Sequence, residues 1–332
     1  MRSIAIINQK GGVGKTTTAV NLAAGLTRWG SRVLLIDLDP QAHASLYLGL
    51  ESTPDEPGIH SVLIDGVPAK SAIRQIDEKL HIISSHVDLV AAESELSRRP
   101  ERELSLSRAL APLADDYDFI IIDSPPSLGL LTVNALAAVR EVIIPVQTHF
   151  LALQGLGMLL RTATAVRDML NPRLRVSGVI LCMYEKGTRL AQEVDNDVRQ
   201  FIANAEPSDV WHGGRVFDAT VRRNIKLAEC PSFGKTIFDY APACNGAEDY
   251  ARLAQELLEM PIHSAQTASI NASDSLDTPP EEPVIADVIA QASVEAEAVL
   301  PSGATTIAAE APDSPDDEIA SPTRSESASP AQ

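Results

Sequence analysis

Residues 8–18 read Asn-Gln-Lys-Gly-Gly-Val-Gly-Lys-Thr-Thr-Thr, and this segment lies between an apolar run at 4–7 and a helical pattern over 16–29. Glycines let backbone N–H groups converge on one point, and the first turn of a helix adds positive electrostatic potential. A strand, a glycine-rich loop and a helix N-terminus in this order therefore predict a phosphate-binding site.

The spacing within the loop assigns roles to single residues. Lys15 is placed to contact the β- and γ-phosphates of a nucleotide, and the Thr16 hydroxyl to hold Mg²⁺. In the common GxxxxGK[ST] pattern a glycine would stand at the position of Gln9, and here a second lysine, Lys10, follows it. A glycine-rich turn with two chance lysines is the alternative, and the flanking strand and helix patterns argue against it. The other predicted nucleotide contacts in this loop are Lys10, Gly11, Gly12, Val13, Gly14 and Thr17.

Short apolar runs alternate with helical patterns through residues 1–260. Continuous apolar strands separated by helices predict an α/β fold, with a doubly wound, mainly parallel sheet covered by helices on both faces. Ligands of such sheets bind beyond the carboxyl ends of the strands. The predicted strands are 4–7, 33–36, 119–122, 142–146 and 176–181, and the predicted helices include 16–29, 104–114, 151–170 and 190–203.

The last part of the chain differs in composition from the rest. Residues 262–332 contain 13 acidic residues and one basic residue, a charge of −12, while the remaining 32 acids and 26 bases leave −6 for residues 1–261. The segment is rich in Pro, Ser, Ala and Thr and has too little apolar surface to offset its chain entropy. We therefore predict a P-loop domain over 1–261 and a disordered acidic tail over 262–332. A docking motif or transient helix at 284–289 or 294–300 is the alternative.

Several classes of protein are disfavoured by composition. No stretch approaches the roughly 18 apolar residues of a membrane span, and no secretory signal is present. We expect a soluble, intracellular protein. The three cysteines, at positions 182, 230 and 244, are widely spaced and predict buried free thiols rather than a metal centre.

The loop has the form KGGxGK[ST], which resembles the deviant Walker A motif of the ParA/MinD family. Two later segments resemble further motifs of that family: Val-Leu-Leu-Ile-Asp-Leu-Asp-Pro-Gln at 33–41 and Phe-Ile-Ile-Ile-Asp-Ser-Pro-Pro at 119–126, the second being Walker B-like. The resemblance implies that Asp39 positions the attacking water, and that Asp37 and Asp123 belong to the Mg²⁺ network.

Lys10 is the residue that distinguishes this loop from the common one. The resemblance implies that its side chain reaches across an ATP-dependent, nucleotide-sandwich homodimer to the partner's phosphates, as an arginine finger does in trans. A lysine that serves only its own loop is the alternative. The predicted catalytic residues are thus Lys10, Lys15 and Asp39.

Residues 221–235, Val-Arg-Arg-Asn-Ile-Lys-Leu-Ala-Glu-Cys-Pro-Ser-Phe-Gly-Lys, resemble the PRNxxxxEAPSxGK segment of chromosomal ParA/Soj members. Asn224 then falls at the base-contact position. The resemblance extends over about 2–258. Membrane-cycling members carry a basic amphipathic helix, so the acidic tail here predicts no membrane binding. The chain opens directly on its first strand, without a helix-turn-helix extension, so operator-specific repression is not expected.

Non-specific DNA binding would use phosphate contacts from basic side chains. A solvated basic face is the alternative. Two positions depart from the family pattern: Arg222 stands at a proline position, and Gly187 stands at an arginine position, with Lys186 beside it. The candidate DNA contacts are Arg223, Arg222, Lys226, Lys235 and Arg189.

The resemblance implies a slow, partner-stimulated, Mg²⁺-dependent ATPase that partitions chromosomal or plasmid DNA with a ParB-type centromere-binding protein. It would act in the cytoplasm, in association with the nucleoid. Two alternatives stay open. One is a ParA-like positioner of a protein cargo, and the other is a non-catalytic, ATP-gated DNA-binding scaffold.

Overall fold

The computed structural model describes residues 1–51, 53, 56–149 and 152–261, so the predicted tail lies outside the described residues. The strands are β1 (Arg2–Ile6), β2 (Val33–Asp37), β3 (Ile73–Gln75), β4 (Leu80–Ile83), β5 (Phe119–Asp123), β6 (Glu141–Gln147), β7 (Arg175–Tyr184), β8 (Arg215–Val216) and β9 (Val221–Arg222). The α-helices are α1 (Lys15–Arg28), α2 (His43–Tyr47), α3 (Ile59–Ile64), α4 (Leu89–Leu96), α5 (Ser105–Leu110), α6 (Leu130–Ala138), α7 (Ala152–Met169), α8 (Arg189–Ala203), α9 (Ile225–Glu229), α10 (Ile237–Tyr240) and α11 (Asn245–Glu259).

One sheet runs through the described residues, in the order β3-β4-β2-β5-β1-β6-β7-β8, with β9 also pairing with β7. The pairs are parallel except for β3 with β4 at one edge, which is antiparallel. The phosphate-loop strand β1 lies between β5 and β6, so the loop leaves the sheet near its centre. This topology is the doubly wound, mainly parallel sheet that the sequence predicts.

The two faces of the sheet are covered by different helices because successive strand residues point to opposite sides. In β1, Ile4 and Ile6 pack into the cluster that contains α1, α10 and α11. Ala5 packs into the other cluster, with α3 to α8. All five residues of β1 are buried, and burial on both faces explains why residues 4–6 form a continuous apolar run rather than an alternating one.

The predicted strands match β1, β2, β5, β6 and β7, with ends shifted by up to three residues. The helix predicted over 104–114 is interrupted: only Ser105–Leu110 is α-helical, and Arg102–Leu104 and Ala111–Leu113 are 3₁₀ turns. Pro112 explains the break, since it has no backbone N–H and its ring clashes with the preceding turn. The sequence did not predict β4, which pairs with β2 and β3, or the short strands β3, β8 and β9.

A buried ion pair joins three elements at the amino ends of the strands. Arg2 on β1 donates from Nε and Nη2 to the two carboxylate oxygens of Glu141 on β6, both at 2.8 Å. Its Nη1 donates to the Leu257 carbonyl at the end of α11. Because both charges are buried, each needs the other, and the pair fixes α11 against the sheet.

Among the described helices, none combines the length and the apolar character that crossing a membrane requires.

The first testable prediction concerns the contact of α1 with α11. A Cβ added at Gly25 would lie 3.0 Å from Ala254 Cβ and 3.2 Å from the Tyr250 carbonyl oxygen. We expect Gly25→Val to lower the free energy of unfolding by about 2 kcal/mol, because an overpacked contact strains its neighbours.

Gly157→Val is the matched control, since a Cβ at this helical glycine meets no atom of the described part of the chain within 4 Å. Its effect should stay within about 0.5 kcal/mol. Urea unfolding of both variants measures the difference, and equal stabilities would contradict the close α1–α11 packing.

Candidate active site

The glycine-rich loop connects the end of β1 to the start of α1. Gly12 (φ +75°) and Gly14 (φ +93°) adopt left-handed backbone angles that residues with a Cβ rarely take. Gly14 is the N-cap of α1, and no side chain in the described part of the chain caps this helix. The N–H groups of its first turn are therefore available to a ligand. Among the described residues, no atom lies within 4 Å of a Cβ built at Gly11 or Gly12, so the loop opens outward.

Lys15, the first residue of α1, folds back under the loop. Its side chain is buried, and Nζ donates to the Lys10 carbonyl at 3.2 Å. Burial lowers the pKa of Lys15, and the negative charges of Asp123 and Asp39 oppose that shift. The ammonium is thus held between the loop and the carboxylates, where a phosphate would gain a charge-assisted contact.

The parallel register brings three strand ends to one level. Asp123, the last residue of β5, pairs with Ile6 of β1 on one side and with Asp37 of β2 on the other. Since β1 continues into the loop, both carboxylates lie beside it. The predicted site residues that are far apart in sequence are thus brought together at the carboxyl edge of the sheet.

Asp37 is held by hydrogen bonds within its own chain. Its Oδ2 accepts from the Ser45 N–H at 2.8 Å and from the Ser45 hydroxyl at 2.7 Å, and its Oδ1 accepts from the Asp39 N–H at 3.3 Å. Burial raises the pKa of Asp37 to about 6, although these hydrogen bonds oppose the shift. Asp39 is also buried, and its Oδ1 accepts from the Gln41 N–H at 2.9 Å. Both carboxylates are therefore fixed in position.

Asp123 lacks such support. Within the described residues, neither of its fully buried carboxylate oxygens accepts a hydrogen bond of good geometry, although the Thr16 hydroxyl is close enough to favour the charged form. Burial raises the pKa of Asp123 well above its usual range, and the charge of Asp37 adds to this. A buried carboxylate without a partner needs a counter-charge.

A Mg²⁺ ion fits this donor set. The described residues contain no group of three or more His, Cys, Asp or Glu side chains that could hold a metal ion. Mg²⁺ does not require one, because it is usually bound by one or two carboxylates, waters and substrate phosphates. Thr16, Asp37 and Asp123 supply hard oxygen atoms beside the loop, as that ion prefers.

Lys10 lies at the outer end of the loop and is exposed. Its backbone N–H donates to Asn8 Oδ1 at 3.0 Å, and Asn8 Nδ2 donates to the Pro145 carbonyl of β6 at 2.7 Å. The Lys10 ammonium contacts His149 Nε2, two residues beyond the end of β6. Lys10 is thus exposed, in contrast to the buried carboxylates, and its ammonium lies beside the end of β6.

A largely apolar cavity of about 450 Å³ adjoins the loop. Its volume is in the range of small-molecule sites. Loop residues form one wall, and the end of β7 and the 221–228 segment form the others. The lining includes Val13, Gly14, Thr17, Met183, Arg223, Asn224 and Tyr250. Its position beside the phosphate loop suits the base and sugar of a nucleotide.

Asn224 lines this cavity but is also the N-cap of α9. Its side-chain oxygen accepts from the Lys226 N–H at 2.8 Å. The amide group of Asn224 is therefore held against the cavity wall, and the base-contact role stays a prediction.

The two departures from the family pattern each have a structural reason. The Arg222 N–H, which a proline would lack, donates to Asp249 Oδ2 at 2.9 Å, and the Arg222 guanidinium bonds both Asp249 and Glu248. These contacts tie β9 to α11. Gly187 has φ +94°, a backbone angle that an arginine would rarely adopt.

The five candidate DNA contacts do not form a free basic patch. Arg222 is the most constrained, since its guanidinium pairs with two carboxylates. Arg223 pairs with Glu185 at 2.9 Å, and Lys226 pairs with Glu229 at 2.8 Å. Arg189 pairs with Glu193, although its side chain is 92% exposed. Lys235 is exposed and forms none of the ion pairs found within residues 1–261 that the structure describes. DNA phosphates would have to compete with these carboxylates.

Several supporting residues were missed from the sequence. Ser45 holds Asp37 from eight positions further along, and Asn8 and His149 hold Lys10. Asn8 alone had a local signal, because a polar residue directly after a buried strand is placed at the carboxyl edge.

The comparisons with known proteins agree on one family. The family described as AAA domain matches residues 1–176. The chromosome-partitioning ATPase Soj of Thermus thermophilus is 45% identical over 258 residues, covering 78% of this chain and 96% of that protein. The sporulation initiation inhibitor protein Soj of Bacillus subtilis is 44% identical over 255 residues, covering 76% and 97%.

The chain belongs to the ParA/Soj family of partitioning ATPases. The predicted resemblance is thereby confirmed. The described residues bring together a glycine-rich loop, a buried lysine and carboxylates at neighbouring strand ends.

A solved structure supports the same fold. The cobyrinic acid a,c-diamide synthase of Mycobacterium smegmatis, with bound ADP and magnesium, superposes with a TM-score of 0.65 at 36% identity, covering 78% of this chain and 94% of that chain. The diamide synthesis in its name is an activity of that protein and carries no statement about this chain. Its bound ADP and magnesium are consistent with the donor set described for this ParA/Soj member.

The second prediction tests the phosphate loop. Lys15→Ala removes the buried ammonium, and we expect ATP affinity to fall at least about 30-fold, since a charge-assisted hydrogen bond contributes roughly 2 kcal/mol. Lys79→Ala is the matched control, because among the described residues the ammonium of this partly exposed lysine donates to the Gly30 carbonyl, away from the loop. Isothermal titration measures both, and wild-type ATP affinity in Lys15→Ala would refute the loop assignment.

Proposed function

We propose that this ATPase forms an ATP-dependent homodimer, binds DNA without sequence preference, and partitions chromosomal or plasmid DNA with a ParB-type centromere-binding protein. The observation that carries the proposal is the 45% identity to a chromosome-partitioning ATPase across 96% of that protein's length. Such a protein would act in the cytoplasm on the nucleoid.

The site geometry supports a separate role for each of the charged residues. Lys15 and the loop N–H groups would bind the phosphates of ATP. Asp37, Asp123 and Thr16 would hold Mg²⁺, which neutralises phosphate charge. Asp39 is fixed by the Gln41 N–H at the carboxyl edge, where it would orient the attacking water.

Dimerisation is supported by the exposed part of the loop. Lys10, Gly11 and Gly12 are exposed at the carboxyl edge. A second subunit could approach this face without displacing buried side chains. In that arrangement Lys10 would reach the partner's phosphates and act as a finger in trans.

The link between ATP and DNA is supported by one short segment. Arg223, a candidate DNA contact, and Asn224, a candidate base contact, are adjacent residues that both line the nucleotide cavity. A nucleotide there would affect the orientation of Arg223 relative to Glu185. A dimer would also present each candidate twice, which favours the dimer over the monomer in DNA binding.

The third prediction separates ATP binding from hydrolysis. Asp39→Ala should bind ATP and dimerise but hydrolyse slowly, whereas Lys10→Ala should bind ATP and lose hydrolysis or dimerisation. Trans fingers contribute roughly 10³–10⁵-fold in rate in related systems. We expect a smaller factor here, because partner stimulation acts on the same step.

Mixing the two variants tests whether Lys10 acts in trans. One of the two sites in a mixed dimer has both an intact Asp39 and a partner's intact Lys10, so ATPase activity should recover in the mixture. A mixture no more active than its components would favour the lysine acting within its own subunit.

The fourth prediction concerns the DNA contact. Arg223→Glu should weaken binding of ATP-bound protein to any duplex. It should also flatten the plot of log affinity against log salt by about two units, because each lost phosphate contact removes about 0.9 units and a dimer has two copies.

Arg32→Glu is the matched control. Arg32 is similarly exposed and pairs with a carboxylate, that of Asp118. It directly precedes β2, so it lies at the amino ends of the strands, whereas the nucleotide cavity lies at their carboxyl ends. Salt titrations by fluorescence anisotropy should show no change of slope for this variant. A wild-type slope in Arg223→Glu would mean that Arg223 is only solvated.

A further inference from the structure

The structure fixes Lys10 from a second part of the chain, at the end of β6. The Lys10 N–H donates to Asn8, and Asn8 donates to the Pro145 carbonyl on β6. The Lys10 ammonium contacts His149 Nε2, just past the end of the same strand. The backbone of Lys10 is thus positioned through β6, and its side chain through His149, which is 139 residues away in sequence.

The chemistry of the pair defines which group donates the hydrogen bond. A lysine ammonium can only donate hydrogen bonds, so His149 Nε2 can serve it only as the acceptor, a role that the Nδ1–H tautomer of imidazole fills. Across the described residues, Lys10 has no carboxylate partner among the ion pairs. A neutral acceptor restrains the ammonium and leaves its positive charge available to a phosphate.

We infer that His149 is a positioning residue for Lys10, which holds the ammonium at the exposed end of the loop, ready for the phosphates of a second subunit. The inference rests on the proposed cross-subunit role of Lys10. It adds a residue that neither the loop motif nor the two carboxylate motifs contain. A carboxylate in the same place would compete with phosphate for the lysine, whereas an imidazole competes weakly.

The effect follows from the side-chain entropy of lysine. Without His149, the long Lys10 side chain samples many rotamers, and the dimer must order it at the moment of assembly. We expect His149→Ala to weaken ATP-dependent dimerisation and to lower kcat, each about tenfold, at unchanged ATP affinity. His149→Gln keeps a neutral acceptor, so it should restore both to within about threefold of wild type.

The experiment combines three measurements on the full chain. Titration gives ATP affinity, analytical ultracentrifugation with ATP gives the dimer dissociation constant, and turnover at saturating ATP gives kcat. His212→Ala is the matched control, since among the described residues the ring of this exposed histidine bonds the Ala205 carbonyl, and the substitution should leave all three values unchanged. The ¹⁵N resonance of His149 Nε2 in nucleotide-free protein is a fourth readout, and it should shift in Lys10→Ala.

Each outcome either supports or contradicts the positioning role of His149. Loss in His149→Ala with recovery in His149→Gln, together with the Nε2 shift, supports the positioning role. Wild-type dimerisation and kcat in His149→Ala, while Lys10→Ala is impaired, overturns it. Wild-type behaviour of Lys10→Ala itself contradicts the cross-subunit lysine of the proposed function instead. If the Nε2 resonance is the same in Lys10→Ala as in wild type, the contact between the two residues is refuted, whatever the measured activities.

Discussion

The burial of Asp37 and Asp123 at the level where β1 ends is the constraint on which the site depends. The parallel register of β1, β2 and β5 places both aspartates at this level. Among the described residues, neither Asp123 oxygen accepts a hydrogen bond of good geometry. Such charges are costly in a protein interior unless a counter-charge is near. Lys15 supplies one, and the donor set suits Mg²⁺ as another. The open glycine loop above them then leaves space for phosphates.

The parts of the site that could be predicted are those with local signals. Glycines between a strand and a helix, and aspartates directly after apolar runs, are recognisable within about ten residues of sequence. The contacts of Asn8 with Pro145 and of Lys10 with His149 span 137 and 139 residues, so no local pattern reveals them. The strands of the sheet centre were predicted because they are buried on both faces. The short edge strands have too few residues for any periodicity to show.

The DNA-binding candidates illustrate a different limit. Counting basic residues in the 221–235 segment suggests a cationic surface, but the structure pairs Arg223 with Glu185 and Lys226 with Glu229. Exposed pairs of this kind are weak, so phosphates can displace the carboxylates at modest cost. A monomer with few free cations would hold DNA poorly. This favours an account in which ATP binding assembles two copies of the chain and thereby raises the affinity for DNA.

The most direct test of that account compares DNA affinity between nucleotide states at one salt concentration. Fluorescence anisotropy with an unrelated duplex would be measured for the full chain with Mg²⁺ and either a non-hydrolysable ATP analogue or ADP. Doubling the number of phosphate contacts predicts binding at least about tenfold tighter with the ATP analogue. Equal affinity in the two states would contradict a nucleotide-controlled switch.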